Sequence, residues 1–267
     1  MASLNCINHQ KRKRLGEMKV FVLDNSLRES TVGQVVGHSL DDKFKILDEI
    51  SKCGFHDQIV GAFSQQRRVD DAFCQKLAER GSTDARLYAF TEDSDKTVNG
   101  EMLFGQDHIP IGLKKMKKYK IPSAIIEVDV ADESVDWEGK FPVSKFMEMI
   151  IFLLKWTHAN LVEPGDSPPR NMLNLRDLPI AMLKCPERTL DIVAALAKLP
   201  DDIRPDALIF EEPLENTFRK RLRAGRRFSE RQWTTMVGRA SGKRVVNRTA
   251  CCSSMHTSSG AWQTRLF

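Results

Sequence analysis

The sequence lacks the features that would place the protein in a membrane or outside the cell. Its longest apolar run, Met149–Leu154, is far shorter than the roughly 20 residues that a transmembrane helix needs. The N-terminus has no apolar signal-peptide core, so we do not expect secretion. The six cysteines form no C-x-x-C pair, which predicts neither a disulfide framework nor a zinc site. We therefore expect a cytoplasmic protein. The basic run Lys11–Arg14 is either a nuclear or organellar targeting signal or simply part of a solvated N-terminus.

Acidic residues are almost absent from the C-terminal part of the chain. Residues 219–267 hold 12 Lys and Arg against one acid, Glu230, whereas residues 1–218 hold 29 Lys and Arg against 35 acids. The net charge of +5 is therefore the sum of a body at −6 and a tail at +11, and it does not indicate a nucleic-acid-binding body. We divide the chain into a disordered basic N-terminus (1–17), a folded body (18–218) and an aberrant, disordered Arg-rich tail (219–267).

Nucleotide-binding motifs are also missing, since no G-x-G-x-x-G follows the first predicted strand and no P-loop lysine is present. What is present is an alternation of short apolar runs with helical periodicity. The runs predict six strands, at 20–24, 58–63, 86–90, 124–128, 171–175 and 207–210. The periodic stretches predict helices at 40–53, 69–81, 107–119, 146–156 and 187–199.

This alternation predicts an α/β fold with a parallel sheet. The spacing of about 30–45 residues per unit is typical of a TIM (β/α)8 barrel of roughly 250 residues, with an open doubly wound sheet as the alternative. Six strand–helix units are legible, and after Phe218 the pattern stops in an irregular basic tail. The sequence therefore predicts a barrel lineage with two strands missing.

The most informative stretch is Asp24-Asn25-Ser26-Leu27-Arg28-Glu29, directly after the first strand. In a barrel this position is the C-terminal rim, where catalytic groups gather. The hexapeptide resembles the D-x-T-L-R-(D/E) signature of the DRE-TIM metallolyases. That superfamily includes isopropylmalate and homocitrate synthases, hydroxymethylglutaryl-CoA lyase and pyruvate carboxyltransferase-type domains. The resemblance covers residues 19–213 in strand order and is specific mainly at the hexapeptide.

The resemblance implies carbon–carbon bond cleavage or formation through an enolate, with lyase and synthase both open. The substrate would be a 2-oxo acid or a 3-hydroxyacyl thioester of coenzyme A, and a homodimer is left open. Arg28 would bind the oxygen on which negative charge develops. Glu29 would ligate Mg²⁺ or Mn²⁺, which would polarise the substrate carbonyl. An ordinary exposed pair at a strand end is the alternative for these two residues.

The sequence departs from the family pattern at three places. Where the family has G-x-Q after the acidic residue, Ser30-Thr31-Val32 follows and the next glutamine is Gln34. The glutamate expected on the second strand is absent or replaced by Gln58. No two of the six histidines are spaced i, i+2, so the H-x-H pair of metal ligands is missing. We therefore expect an incomplete metal site and weak or no activity.

Other polar residues follow predicted strands and are candidates for the rim. They could contact substrate or be solvated strand ends, and they are Asp24, Asp129, Arg176, Glu211 and Glu212. The alternative function is a non-catalytic, degenerate barrel whose basic tail binds nucleic acid or a membrane surface. Outside that alternative, we do not expect a nucleic-acid partner.

One cause would explain both the missing seventh strand and the basic tail, namely a shifted reading frame after the sixth strand. New codons taken from the third base of each residue and the first two of the next force Leu at Cys251–Cys252, Ala at Met255–His256 and Ala at Trp262–Gln263. The shifted frame permits L-L-V-H-A-H-x-x-x-G-M-A-(D/N). This matches the family's seventh strand, in the place where that strand is due.

The coding DNA tests this hypothesis directly. We expect codons 251–263, read in the shifted frame, to give His both across Ser254–Met255 and across His256–Thr257. Sequencing of the gene and its transcript is the measurement. Any other residue at either place would show that the tail is not a displaced barrel strand.

Overall fold

The computed structural model describes five stretches of the chain: residues 21–29, 37–66, 68–81, 86–163 and 165–210. The basic N-terminal segment predicted at 1–17 and the Arg-rich tail predicted at 219–267 lie outside these residues, so both assignments stay predictions.

Eight strands and seven helices occupy the described residues. The strands are β1 (Leu23–Asp24), β2 (Asp57–Ala62), β3 (Arg86–Glu92), β4 (Thr97–Val98), β5 (Glu101–Met102), β6 (Ser123–Val128), β7 (Met172–Leu175) and β8 (Ala207–Phe210). The helices are α1 (Ser26–Glu29), α2 (Leu40–Lys52), α3 (Val69–Arg80), α4 (Ile111–Tyr119), α5 (Val143–Asn160), α6 (Leu178–Lys184) and α7 (Pro186–Ala197), with a 3-10 turn at Gln106–His108.

Six of the strands form one parallel sheet in the order in which they occur along the chain, β1-β2-β3-β6-β7-β8. Right-handed crossovers between sequential neighbours put every connecting helix on the same face of a sheet. A doubly wound sheet instead reverses its strand order and carries helices on both faces. The strand order therefore confirms the TIM-barrel-like prediction, here as a curled half-barrel, over the open-sheet alternative.

The packing of the two sheet faces agrees with this assignment. One face joins the helices in the main core, to which the strands contribute residues such as Val60, Ala89 and Ile126. The opposite, concave face forms a separate cluster drawn from strand residues: Leu23, Ile59, Tyr88, Phe90, Ile125, Met172 and Ile209. Side chains alternate between faces along a strand, so the residues two apart from these also face the concave side.

Local sequence explains where several helices begin and end. Ser39 and Asp42 form a capping box at the start of α2, because each side chain accepts the other residue's backbone N–H. Pro142 precedes α5 and Pro186 opens α7, positions at which the missing N–H of proline is tolerated. Lys120 ends α4 in the left-handed conformation. Among the described helices, none has the length and apolar composition needed to cross a membrane.

Several short elements differ from what the sequence predicts. The β4–β5 hairpin has strands of two residues each, too short to show a period of two. Helix α6 follows β7 after one turn, and Asp177 initiates it in the left-handed conformation at φ 46°. The predicted helix at 107–119 divides at Pro110 into the 3-10 turn and α4.

Gly112 allows α4 to lie directly on β3. A Cβ at this position would lie 2.6 Å from Cβ of Thr91 and 3.2 Å from its Cα, so backbone would have to move. We expect Gly112→Ala to lower the free energy of unfolding by about 1–3 kcal/mol, although alanine is the better helix former. Urea denaturation measures the change. Gly37→Ala, where a Cβ meets nothing within 4 Å, is the control, and equal effects of the two substitutions would contradict the close packing.

Candidate functional site

The turn that carries Arg28 is built by Asp24. Its Oδ1 accepts a hydrogen bond from the backbone N–H of Ser26, and its Oδ2 accepts one from the Ser26 hydroxyl, both at 3.1 Å. A side chain that satisfies the first backbone donors of a helical turn makes that turn start where it does. Asp24 thus ends β1, and both of its carboxylate oxygens hold Ser26, the first residue of α1.

Arg28 lies over the concave face of the sheet. Its guanidinium carbon is 4.8 Å from the ring centroid of Phe90, which belongs to the concave cluster. Such stacking holds the guanidinium in one place over the ring. The side chain is half-buried, so solvent and ligand reach it. The position of Arg28 at the C-terminal end of the sheet is the one that the hexapeptide predicts, whereas the side chain of Glu29 lies outside the described part of the structure.

A row of polar side chains crosses three strands at the same end of the concave face. Glu92 follows Phe90 by two residues, Glu127 pairs with Glu92 in register, and Asn174 pairs with Glu127. The amide Nδ2 of Asn174 donates a hydrogen bond to Oε1 of Glu127 at 3.3 Å. Glu92 is exposed, Glu127 half-buried and Asn174 buried, so the row runs from solvent into the sheet. The candidate site is therefore Arg28 together with this row.

No member of the row was predicted from the sequence. A signal was present, because Glu127 and Asn174 are polar residues within otherwise apolar strands. Burial of a polar side chain in a strand requires a partner, and the partner here is a polar residue of the adjacent strand. What the sequence does not contain is the register that aligns the two residues.

Asp93, the residue after β3, is a second carboxyl group at this end of the sheet. Burial raises the pKa of Asp93 from 3.8 to about 7, and the nearby Glu92 and Asp132 carboxylates act in the same direction. Its Oδ2 has no hydrogen-bond partner among the described residues. A carboxyl group with a pKa near neutrality is suited to give and take protons at ordinary pH.

The other predicted site residues lie in different places. The side chain of Gln58 faces the helices, on the strand face opposite Ile59, and its Nε2 donates to the Phe55 carbonyl at 2.9 Å.

Two further predicted residues lie at strand ends. Asp129 follows β6 and accepts from the Ala131 N–H at 2.9 Å, and Arg176 follows β7 with an exposed side chain. Three further candidates lie outside the described residues: Gln34, Glu211 and Glu212.

A complete metal site is not formed by the described residues. Within them, no three His, Cys, Asp or Glu side chains are grouped so that they would hold a metal ion. Mg²⁺ and Mn²⁺ prefer several oxygen ligands, and two carboxylates from neighbouring strands do not supply a full set. The donor set of the described residues therefore does not fit the metal that the family resemblance implies.

The raised pKa of Asp93 predicts a pH dependence of stability. Because the pKa is raised in the folded state, the native chain retains a proton between about pH 4 and 7 that the unfolded chain loses, so stability falls as pH rises through that range. We expect Asp93→Asn to be more stable than the parent chain at pH 8 by about 1–4 kcal/mol, with the difference disappearing near pH 4. Urea denaturation at several pH values measures it, with exposed Asp107→Asn as control. A difference that is the same at pH 4 and 8 would contradict the assignment.

No family model matches this sequence, and no curated protein does. Among solved structures, the chain is similar to hydroxymethylglutaryl-CoA lyase from Pseudomonas aeruginosa at 11% identity and a TM-score of 0.48, covering 73% of this chain and 58% of that chain. The HMG-CoA lyase from Bacillus subtilis has 14% identity and a TM-score of 0.45, with 87% of this chain and 77% of that chain covered. The HMG-CoA lyase from Brucella melitensis has 10% identity and a TM-score of 0.45, with 93% and 87% covered. The chain thus spans 58% of the length of the first of these enzymes.

Proposed function

We propose that the chain binds a 2-oxo acid or a 3-hydroxyacyl thioester at the C-terminal end of its sheet, and that its chemistry is cleavage or formation of a carbon–carbon bond through an enolate. One observation supports this function. Arg28, from the motif at Asp24–Glu29, places its guanidinium over Phe90 at the same end of the concave face as the carboxylates of Glu92 and Glu127. Function at this end of a barrel sheet is the general pattern of the fold.

Each step of this chemistry can be assigned to a residue of the candidate site. In the cleavage direction, a base takes the proton of the substrate's 3-hydroxyl group and the carbon–carbon bond breaks. The electron pair of that bond passes to the carbonyl group of the substrate, which becomes an enolate. An acid then protonates the enolate carbon. Arg28 donates hydrogen bonds to the enolate oxygen, where charge develops. Exposed Glu92, on the concave face, accepts the first proton and can return it to the enolate carbon.

The Mg²⁺ or Mn²⁺ that the family resemblance implies has no step in this scheme, because the described donors do not make its site. In such enzymes the ion holds the substrate and polarises its carbonyl. Without that contribution, Arg28 and the carboxylates bind and orient substrate but lower the barrier less. We therefore expect measurable ligand binding with slow turnover.

Binding of oxalate, a planar dianion that resembles the enolate of a 2-oxo acid, tests the role of Arg28. We expect Arg28→Ala to weaken oxalate binding by about 10–100-fold, since a hydrogen bond to a charged group contributes about 1.5–3 kcal/mol. Arg28→Lys should recover only part of the loss, because a lysine cannot form the bidentate contact. Isothermal titration calorimetry without added metal measures both affinities.

Arg80→Ala is the matched control, since Arg80 stacks on Phe44 in the helix layer, with its guanidinium carbon 3.7 Å from the ring centroid. Its oxalate affinity should equal that of the parent chain. Equal loss in both variants, or binding unchanged by Arg28→Ala, would contradict the proposed site. Rapid turnover of a 3-hydroxyacyl thioester with Mn²⁺ bound tightly would show that the chain has a complete metal site after all.

A further inference from the structure

A buried ion pair lies beneath the turn that carries Arg28. The side chain of Lys43, on α2, is 0% exposed and that of Asp70, on α3, is 2% exposed, and the Lys43 ammonium pairs with the Asp70 carboxylate. Removing two charges from water is costly, and apolar residues of similar volume often give equal or greater stability. A gain in stability alone therefore does not explain why the chain has this ion pair. The other contacts of the two residues indicate its role.

The ammonium of Lys43 also donates a hydrogen bond to the backbone carbonyl of Leu27, at 2.8 Å. Leu27 is 0% exposed and directly precedes Arg28 in α1. The Leu27 carbonyl and the Arg28 nitrogen belong to the same planar peptide group. The contact therefore fixes the orientation of the peptide from which the Arg28 side chain leaves the backbone.

Asp70 ties the other end of the pair to the sheet. A β-bulge in β2 lies between Ile59 and Gly61, and a Cβ on Gly61 would be 2.8 Å from Cβ of Asp70. The backbone N–H of Ala62 points to Oδ2 of Asp70 at a donor–acceptor distance of 3.4 Å. The absence of a side chain at Gly61 lets Asp70 reach the strand. A continuous set of contacts thus runs from β2 through Asp70 and Lys43 to the peptide of Arg28.

We propose that Lys43 and Asp70 are positioning residues for Arg28, which hold its guanidinium over the concave face in the orientation that binds substrate oxygen. This inference rests on the proposed function in so far as Arg28 contacts the substrate. The pair acts through the backbone of α1, because the Lys43 ammonium reaches the Leu27 carbonyl. Two buried charges held on two different helices keep that carbonyl in one place more rigidly than apolar packing does.

The neighbouring pair Lys115–Asp71 provides a matched control. Its charges are 2.9 Å apart, with side chains 14% and 2% exposed. Lys115 donates to the carbonyl of Ser64 at 2.7 Å, in the loop between β2 and α3, rather than to the turn of Arg28. Both pairs thus join a lysine to an aspartate of α3. They differ in the backbone carbonyl that the lysine binds, which is that of Leu27 in one pair and that of Ser64 in the other.

The test compares two doubly substituted chains, Lys43→Met with Asp70→Asn and Lys115→Met with Asp71→Asn, each of which removes both charges at once. For the first, we expect a changed Nε–H resonance of Arg28 in the ¹⁵N NMR spectrum and amide exchange of Leu27–Glu29 faster by about tenfold or more. We also expect oxalate binding about tenfold weaker. Adding Arg28→Ala to the first chain should produce little further loss, because interacting residues are not additive. The control chain should match the parent in all three measurements.

If the first chain does not fold, the variant Lys43→Gln with Asp70→Asn replaces it. This variant keeps a polar pair, but the glutamine side chain is too short to reach the Leu27 carbonyl, so we expect the same changes in resonance, exchange and oxalate binding. An unchanged Arg28 resonance and unchanged exchange in a folded variant would overturn the inference. So would fully additive losses with Arg28→Ala. If the parent chain binds no oxalate, the proposed function fails, and the resonance and exchange of Arg28 still decide whether the pair positions it.

Discussion

The alternation of side chains along parallel strands that follow one another in chain order is the constraint on which the rest depends. Because every crossover returns on the same side, one face of the sheet packs against the helices and the other carries a separate cluster of strand residues. Phe90 and Glu92 share the concave face since they lie two residues apart. The strand residues of the site, Glu92, Glu127 and Asn174, therefore reach that face by alternation alone. Arg28, in contrast, reaches it from α1.

The β-bulge in β2 interrupts this alternation of side chains, and the extra residue makes room for a buried side chain. Val60 and Gly61 both face the helices, which returns Ala62 to the concave side. The extra residue facing the helices is a glycine, and Asp70 occupies the space that its side chain would take. A buried aspartate at that point needs a cation, and Lys43 supplies it. The bulge, the glycine and the ion pair are thus one arrangement.

Much of the fold could be predicted from sequence, because each strand of the main sheet is an apolar run bounded by turn residues. Strand β6 and helix α5 were predicted within a few residues of their bounds, since both are strongly apolar. The position of Arg28 at the strand end was likewise predicted. The polar row and Asp93 were not, because their significance depends on register and burial. A sequence shows that Glu127 interrupts an apolar strand, but not that Glu92 and Asn174 lie beside it.

The two ends of the concave face show why the site belongs at one of them. Both ends are polar, and between them lies the apolar layer that includes Phe90. At the N-terminal end, the hydroxyl of Tyr88 donates to Asp57 at 2.8 Å, and Arg170 lies 3.7 Å from the same carboxylate, so the charges there compensate one another. Burial, together with the negative Asp57, raises the pKa of Tyr88 and keeps its proton in place. At the C-terminal end, two carboxylates and an arginine lie where solvent reaches them. Among the described residues, this second end therefore brings an arginine and carboxylates together at a surface that solvent reaches, which is why the candidate site belongs there.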